Sequence, residues 1–198
     1  MNKRILIISD THAPYHHPDL IAFLKGIKKK YNPDRIVHIG DECDKHGLNM
    51  HGQDPDLPSA GDELVEARKV IHEIEKLWSN VDILHSNHGS LAYRRSFKAG
   101  IPMAYMRGYN EVLQVGKGWK WHNELTIKLP DGNKVHFHHG KSANILSVGQ
   151  KQGTCYVQGH YHTKYGISYW GNPESLLWAM QVGCLIDKDS MAFAYDKV

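Results

Sequence analysis

Lys3-Arg4-Ile5-Leu6-Ile7-Ile8-Ser9-Asp10-Thr11-His12 is the stretch whose reading decides the fold. Four consecutive large aliphatics, Ile5 to Ile8, are too short a run for a helix and rich in β-branching. They predict a buried strand covered on both faces, as in a parallel sheet. The run stops at Asp10 and His12. In an extended chain residues two apart project to one face, so this carboxylate and imidazole are expected side by side where the strand ends. A D-x-H triplet is common by chance. Its meaning rests on whether later segments bring more ligands to the same edge.

They do. After a turn-rich loop, Ala13 to Asp19, the positions Leu20, Leu24, Ile27 and Tyr31 repeat at helical spacing, with Phe23 widening the face. Lys28, Lys29 and Lys30 complement the dipole at that helix's end and read as a solvated face. Asn32-Pro33-Asp34 breaks the helix, and Arg35-Ile36-Val37-His38-Ile39 predicts a second strand, parallel to the first in a βαβ unit. It too ends in a carboxylate, in Gly40-Asp41-Glu42-Cys43-Asp44. Residues 45–60 lack periodicity and predict a long loop, and Leu64 to Leu77 a helix. Val81 to Ser86 predicts a third strand, ending in Asn87-His88-Gly89. The segment from Leu91 to Gly118 reads as helical in parts. Leu125–Leu129 and Val135–His139 alternate around Pro130-Asp131-Gly132-Asn133, a hairpin pattern that ends in histidine. A short helix from Ala143 to Gln150 leads to the strand Cys155–Gln158 and to Gly159-His160-Tyr161-His162. Tyr165 onward predicts short strands with a turn at Gly171-Asn172-Pro173. Open α/β sheets carry their sites at the carboxyl edge, which is where these residues collect.

Composition sets the bounds. At 198 residues, 41% hydrophobic and 23% charged, the chain fits one ordinary globular domain over residues 1–198. No apolar run approaches the ~18 residues of a membrane span, and Lys3-Arg4 precede too few aliphatics for a secretory leader. Three widely spaced cysteines argue against a disulfide framework or a C-x-x-C zinc site and fit a cytoplasmic setting. A net charge of +3 is too mild to establish a nucleic-acid partner. Fifteen histidines are unusual, and histidine is the commonest metal ligand.

Asp10, His12, Asp41, Asn87, His139, His160 and His162 form a mixed carboxylate, amide and imidazole set without thiolate. Such a set suits manganese first, with iron, nickel or zinc as alternatives. It is too large for one tetrahedral ion and suits two divalent ions if one carboxylate bridges. Two ions act as a clamp for displacement at phosphorus and acidify a bound water.

On these blocks the sequence resembles the calcineurin-like metallophosphoesterase superfamily. That family's ordered motifs are D-x-H, G-D-x-x-D, G-N-H-[DE], H-G and G-H-x-H. Here stand Asp10-Thr11-His12, Gly40-Asp41-Glu42-Cys43-Asp44, Ser86-Asn87-His88-Gly89, His139-Gly140 and Gly159-His160-Tyr161-His162. The resemblance implies an α/β fold: a two-sheet α/β/β/α sandwich with mixed sheets and βαβ units at the N-terminus. It implies that Asp10, His12, Asp41 and His162 hold one metal, and that Asp41 bridges to a second held by Asn87, His139 and His160. Asp41 and His88 would be the catalytic pair, His88 as the acid toward the leaving oxygen, with Asp44 orienting ligands behind them. The activity implied is in-line hydrolysis of a phosphoester by hydroxide generated between the ions, on a phosphodiester of a nucleotide or nucleic acid. A phosphomonoesterase and a non-catalytic metal-binding scaffold are the alternatives. Two positions depart from the family: Ser86 replaces Gly, and Gly89 replaces the acidic partner of the catalytic histidine.

Further residues carry weaker readings. Arg94 and Arg95 could grip a phosphate through guanidinium hydrogen bonds, or simply solubilise a helix. His16, His17, His46 and His51 lie in loops near the expected rim and are candidates for substrate contact. His85, His136 and His138 read as structural. Trp119 and Trp121 between Lys117 and Lys120 fit a strand packing its indoles on a core better than a stacking platform for bases. Gly140-Lys141-Ser142 is not a phosphate-binding loop, because Val135 stands where that motif needs glycine.

Overall fold

The computed structural model describes residues 4–50, 56–171, 174–187 and 189–190. The aliphatic run Ile5–Ile8 is strand β1, and Arg35–His38 is β2, parallel to it from Ile5 opposite Arg35 to Ile8 opposite His38. Helix α1, Leu20–Tyr31, joins them. Strands β3 (Val81–Leu84) and β4 (Trp119–His122) continue in parallel, giving the order β1-β2-β3-β4. Side chains of β1 alternate between two cores. Leu6 and Ile8 pack toward the helices, while Ile5 and Ile7 pack toward the second sheet. Both faces are therefore covered, yet Ile5 to Ile7 stay half-buried. Among the described residues β1 has a strand neighbour on one side only, so its outer edge is open.

The stripe that α1 buries runs through Leu20, Ile21 and Leu24, with Lys28 extending it. Phe23 and Tyr31, expected on the inner face, are 54% and 47% exposed. The helix is turned so that Ile21 takes the inner place, and the Lys28 ammonium donates to the carbonyl of Leu77. That carbonyl ends helix α2, Ala60–Leu77, which starts earlier than the apolar period shows. Its first turn is polar: Ser59 caps it by accepting from Asp62 N–H, and Glu63 is buried with its carboxylate accepting from His46 and Gly47 N–H, each at 2.9 Å. Those two residues open a 3-10 turn, His46–Leu48, inside the expected loop.

The second sheet is mixed. β5 (Leu125–Lys128) and β6 (Lys134–His138) form the expected hairpin, with Ile127 opposite Val135. β7 (Cys155–Gln158) runs parallel to β6, β9 (Leu176–Gln181) parallel to β7, and β8 (Gly166–Gly171) antiparallel to β9. Helix α5, Ile145–Gln152, packs against β7, β8 and β9. Val37, Ile39, Leu84, Val135, Phe137 and Val157 fill the space between the sheets. The result is the two-sheet sandwich flanked by helices. Between β3 and β4 lie α3 (Leu91–Lys98), a 3-10 turn (Met103–Tyr105) and α4 (Tyr109–Leu113). No helix among the described residues is long and apolar enough to cross a membrane. His51, Asn172, Pro173 and the tail from residue 191 lie outside the described residues.

Trp119 is 1% exposed, and its indole N–H donates to the carbonyl of Trp78 at 3.1 Å. The alternating Trp119-Lys120-Trp121 pattern is thus a core-facing strand. Trp119→Ala should cost about 3–5 kcal/mol of stability, and Lys120→Ala less than about 0.5 kcal/mol, by chemical denaturation. Equally small effects would contradict the core placement.

Candidate metal centre

β1 and β2 end at Ile8 and His38, but the chains beyond them stay paired. N–H groups of Asp10, His12 and Ala13 donate to the carbonyls of Gly40, Asp41 and Glu42 at 3.1, 2.9 and 3.1 Å. This backbone is not extended. Asp10, His12 and Asp41 have φ of 49°, 47° and 52°, and His160, beyond β7, has φ of 71°. Left-handed backbone costs a residue other than glycine about 1–3 kcal/mol and collects at functional sites. The simple rule that residues two apart share a face therefore does not align Asp10 with His12. Both turn left-handed, and the turns bring His12 Nε2 to 4.0 Å from Asp10 Oδ1.

Two clusters form around one carboxylate. In the first, His162 Nε2 is 3.3 Å from Asp10 Oδ1 and 3.2 Å from His12 Nε2, and His12 Nε2 is 3.6 Å from Asp41 Oδ2. In the second, His139 Nε2 is 3.2 Å from the same Asp41 Oδ2, 2.7 Å from Asn87 Oδ1 and 3.2 Å from His160 Nδ1. Asp41 thus faces both, while its Oδ1 accepts from His88 N–H at 3.0 Å. All seven residues singled out as ligands come together here, although they span 152 positions from Asp10 to His162.

The donor chemistry fits cations. His12 Nδ1 donates to Asp44 Oδ1 at 2.6 Å, and His139 Nδ1 donates to the carbonyl of Ile39 at 3.0 Å. Each bond fixes the tautomer that turns the Nε2 lone pair of the neutral ring inward. Asp10 Oδ1 is buried without a hydrogen-bond partner. Lone pairs and carboxylate oxygens crowded at these distances repel one another unless protons or metal ions sit between them. Without ions, the neighbouring carboxylates favour the protonated forms of His12 and His139. Burial works against a charged His12, but the Asp44 hydrogen bond and the charges of Asp41, Asp44 and Asp10 raise its pKa above 6.5. His139 is likewise raised against its burial, through Asp41 and Asp10. Burial alone would raise Asp41, yet His139, His88 and His12 hold it well below 3.8. His160 is pushed down, by burial and then by His139.

Asp44 links this centre to His88. Its carboxylate orients His12 and its backbone carbonyl accepts from His88 Nδ1, with Asp44 Oδ1 also 3.6 Å from that nitrogen. His88 therefore has an orienting partner although Gly89 supplies none. The other candidates lie differently. Arg95 places two donors on the carbonyls of Leu48 and Asn49, bracing the 3-10 turn. Arg94 is exposed. His16 Nδ1 donates to the carbonyl of Pro14 at 2.9 Å, and His17 Nδ1 accepts from Asp19 N–H at 3.1 Å, so both serve local turns. His46 is buried rather than at a rim. His136 and His138 lie on the face of β6 opposite Val135 and Phe137, and burial pushes His138 down to about 4.

Sequence reasoning misses three supports. Ser9 Oγ donates to Asp10 Oδ2, and Ser86 Oγ accepts from Asp41 N–H at 2.8 Å. A Cβ on Gly159 would stand 2.6 Å from Asp10 Oδ2 and closer still to Ser9 Oγ, so only glycine lets the end of β7 approach Asp10. The glycine's place directly before His160 is the one signal the sequence offers for it.

A family model described as calcineurin-like phosphoesterase matches residues 3–187. The gene 54 protein of Mycobacterium phage D29 is 27% identical, over 94% of this chain and 81% of its own length. Among solved structures, YfcE, a phosphoesterase from E. coli, is similar with a TM-score of 0.52 at 14% identity, covering 94% of this chain and 83% of that one. Vacuolar protein sorting 29 from Cryptosporidium parvum is similar with a TM-score of 0.50 at 12% identity, covering 96% and 79%. At those identities the structural likeness is one of fold.

Protons and a bound cation would compete for His12 and His139. Because both are raised above 6.5, the stability their charged forms contribute to the ion-free protein is full below pH 6.5 and lost as pH rises through the folded values. Affinity for manganese should rise over that same range, with release of about two protons per protein. Calorimetric titration between about pH 6 and 8, in buffers of different ionisation enthalpy, measures both. An affinity that does not change with pH would exclude these rings as ligands.

Proposed function

The chain belongs to the calcineurin-like phosphoesterase family, and from that premise we propose that it is a hydrolase of phosphodiesters in a nucleotide or nucleic acid, dependent on two divalent ions. The observation that carries the reading is Asp41, whose Oδ2 lies 3.6 Å from His12 Nε2 and 3.2 Å from His139 Nε2. One carboxylate oxygen shared by two imidazole clusters supports a bridged pair of ions. Asp10, His12, Asp41 and His162 would hold one, and Asp41, Asn87, His139 and His160 the other. Such ions, of which manganese suits the oxygen and nitrogen donors first, supply charge stabilisation at phosphorus and acidify water.

The chain's own residues supply the rest. His88 Nδ1 is fixed on the carbonyl of Asp44, which leaves Nε2 as the atom that hands a proton to the departing oxygen. Its N–H on Asp41 Oδ1 keeps that ring in step with the shared carboxylate. Asp44 couples the acid to the ligand set, since it also holds His12.

The nucleic-acid side of the reading rests on the segment that follows His88. No acidic residue stands between Asp82 and Glu111. Arg94, Lys98 and Arg107 are exposed there, and Phe97 and Tyr105 are 84% and 81% exposed. Tyr93 Oη donates to the carbonyl of Arg107 at 2.9 Å, and Ser96 Oγ bonds Met106 Sδ, so α3 and the following turn form one piece. Exposed rings among cations suit stacked bases and a phosphate backbone. This is the role that the buried Trp119 does not take.

Hydrolysis of chromogenic diesters with manganese, abolished by chelator, is the expected result. Faster turnover of monoesters would move the reading to a phosphomonoesterase, and ion binding without hydrolysis would leave a scaffold. Asp41→Asn should remove activity and weaken both ion sites together; loss of a single ion would exclude bridging. His88→Ala should lower turnover about 10²–10⁴-fold at unchanged metal content. Phe97→Ala with Tyr105→Ala should weaken binding of single-stranded DNA by about 1–3 kcal/mol per stacked base while sparing the chromogenic diester. Undiminished DNA binding in an anisotropy titration would remove the segment from the substrate path.

A further inference from the structure

The two positions at which this chain leaves its family's G-N-H-[DE] pattern, Ser86 and Gly89, touch each other. Ser86 is buried just beyond β3, and its hydroxyl accepts two backbone N–H groups, from Asp41 at 2.8 Å and from Gly89 at 3.1 Å. It therefore ties the turn that carries the shared carboxylate to the turn that carries Asn87 and His88. The carbonyl of Ser86 adds a bond from Ser90 N–H at 3.0 Å, closing the second turn. A Cβ at position 89 would stand 2.8 Å from Ser86 Oγ, and the next nearest atoms are at 3.6 Å. Gly89 does not have a positive φ, so its backbone admits other residues and only the serine hydroxyl stands in the way. Ser86 could rotate aside, but Asp41 N–H and Gly89 N–H would then lose their common acceptor in a buried place.

We propose that Ser86 and Gly89 are a coupled exchange, in which the Ser86 hydroxyl is the positioning group that holds Asp41 and the Asn87–His88 turn in register, in space that a side chain at position 89 would otherwise enter. The exchange accounts for both departures at once. With the hydroxyl in place, a side chain at 89 is excluded, and His88 takes its orienting partner from the Asp44 carbonyl instead. The inference rests on the reading of Asp41 as a metal-bridging residue, but its coupling of positions 86 and 89 is independent of what the site hydrolyses.

A double-mutant cycle read on manganese affinity tests it without requiring activity. Ser86→Ala should weaken binding about tenfold, as an orphaned buried N–H beside Asp41 implies. Gly89→Ala should weaken it by a similar factor, by turning the hydroxyl away. Ser86→Ala/Gly89→Ala should be no weaker than the single variants, because the hydroxyl that the second substitution displaces is already gone. Losses that multiply to about a hundredfold would overturn the proposal, as would a Gly89→Ala protein with unchanged affinity. Ser86→Gly/Gly89→Glu, which restores the family pattern, should bind manganese more tightly than Gly89→Glu alone. If the wild type hydrolyses esters, Ser86→Ala should lower kcat and leave KM unchanged. A change in the thermal midpoint of the ion-free protein alone, with affinity intact, would mark Ser86 as merely structural. Failure of wild-type hydrolysis would refute the phosphoesterase reading and leave the affinity cycle standing as the test of the exchange.

Discussion

A carboxylate that is almost wholly buried and shared by two groups of imidazoles is the constraint around which this chain is built. Taking a carboxylate out of water costs several kcal/mol, and Asp41 meets that cost with ring nitrogens from both sheets and with the N–H of His88. The arrangement has no comfortable state without positive charge between its donors. The neighbouring carboxylates raise His12 and His139, and the rings His139, His88 and His12 in turn hold Asp41 low. The same electrostatics would favour cations at this centre.

Local geometry is bent to serve that constraint. Asp10, His12, Asp41 and His160 all take left-handed backbone, the strain falling on residue types that tolerate it better than branched ones do. Rigid strands directly before each of these turns hold the bends in place. Close approach at Gly159 and the hydroxyl of Ser86 then set how near the ends of β1, β2, β3 and β7 can come. The folded core carries the cost of this strain. Trp119, Phe137 and the aliphatics around them are almost fully buried, in two clusters that meet across the first sheet.

Much of this was legible because strand ends announce themselves. A short aliphatic run followed by a polar ligand type is a local pattern, and it recurs at Asp10, Asp41, Asn87, His139 and His160. Where side chains answer to distant neighbours, the local pattern misled. Phe23 fits the helical stripe of α1 but faces water, because Ile21 and the Lys28 contact with α2 set the helix's rotation. Arg95 reads locally as an exposed helical cation, yet it braces Leu48 and Asn49, a partnership across 46 or 47 positions of chain. The start of α2 was hidden because Glu63 is polar in sequence and buried in structure, its carboxylate occupied by two backbone N–H groups.

By itself the sequence determined the elements, the βαβ beginning, the hairpin and the identity of the seven residues gathered at the centre, since each depends on nearest-neighbour periodicity or on ligand type at a strand end. Only the tertiary structure decided that Asp41 faces both clusters, that Asp44 serves His12 and His88 at once, and that Ser86 stands where a side chain at position 89 would go. Those are distances between residues 3 to 98 positions apart in the chain. Periodicity fixes which way a residue points along its own element. The gap between two elements is set by packing, turn strain and buried hydrogen bonds, which no single segment contains.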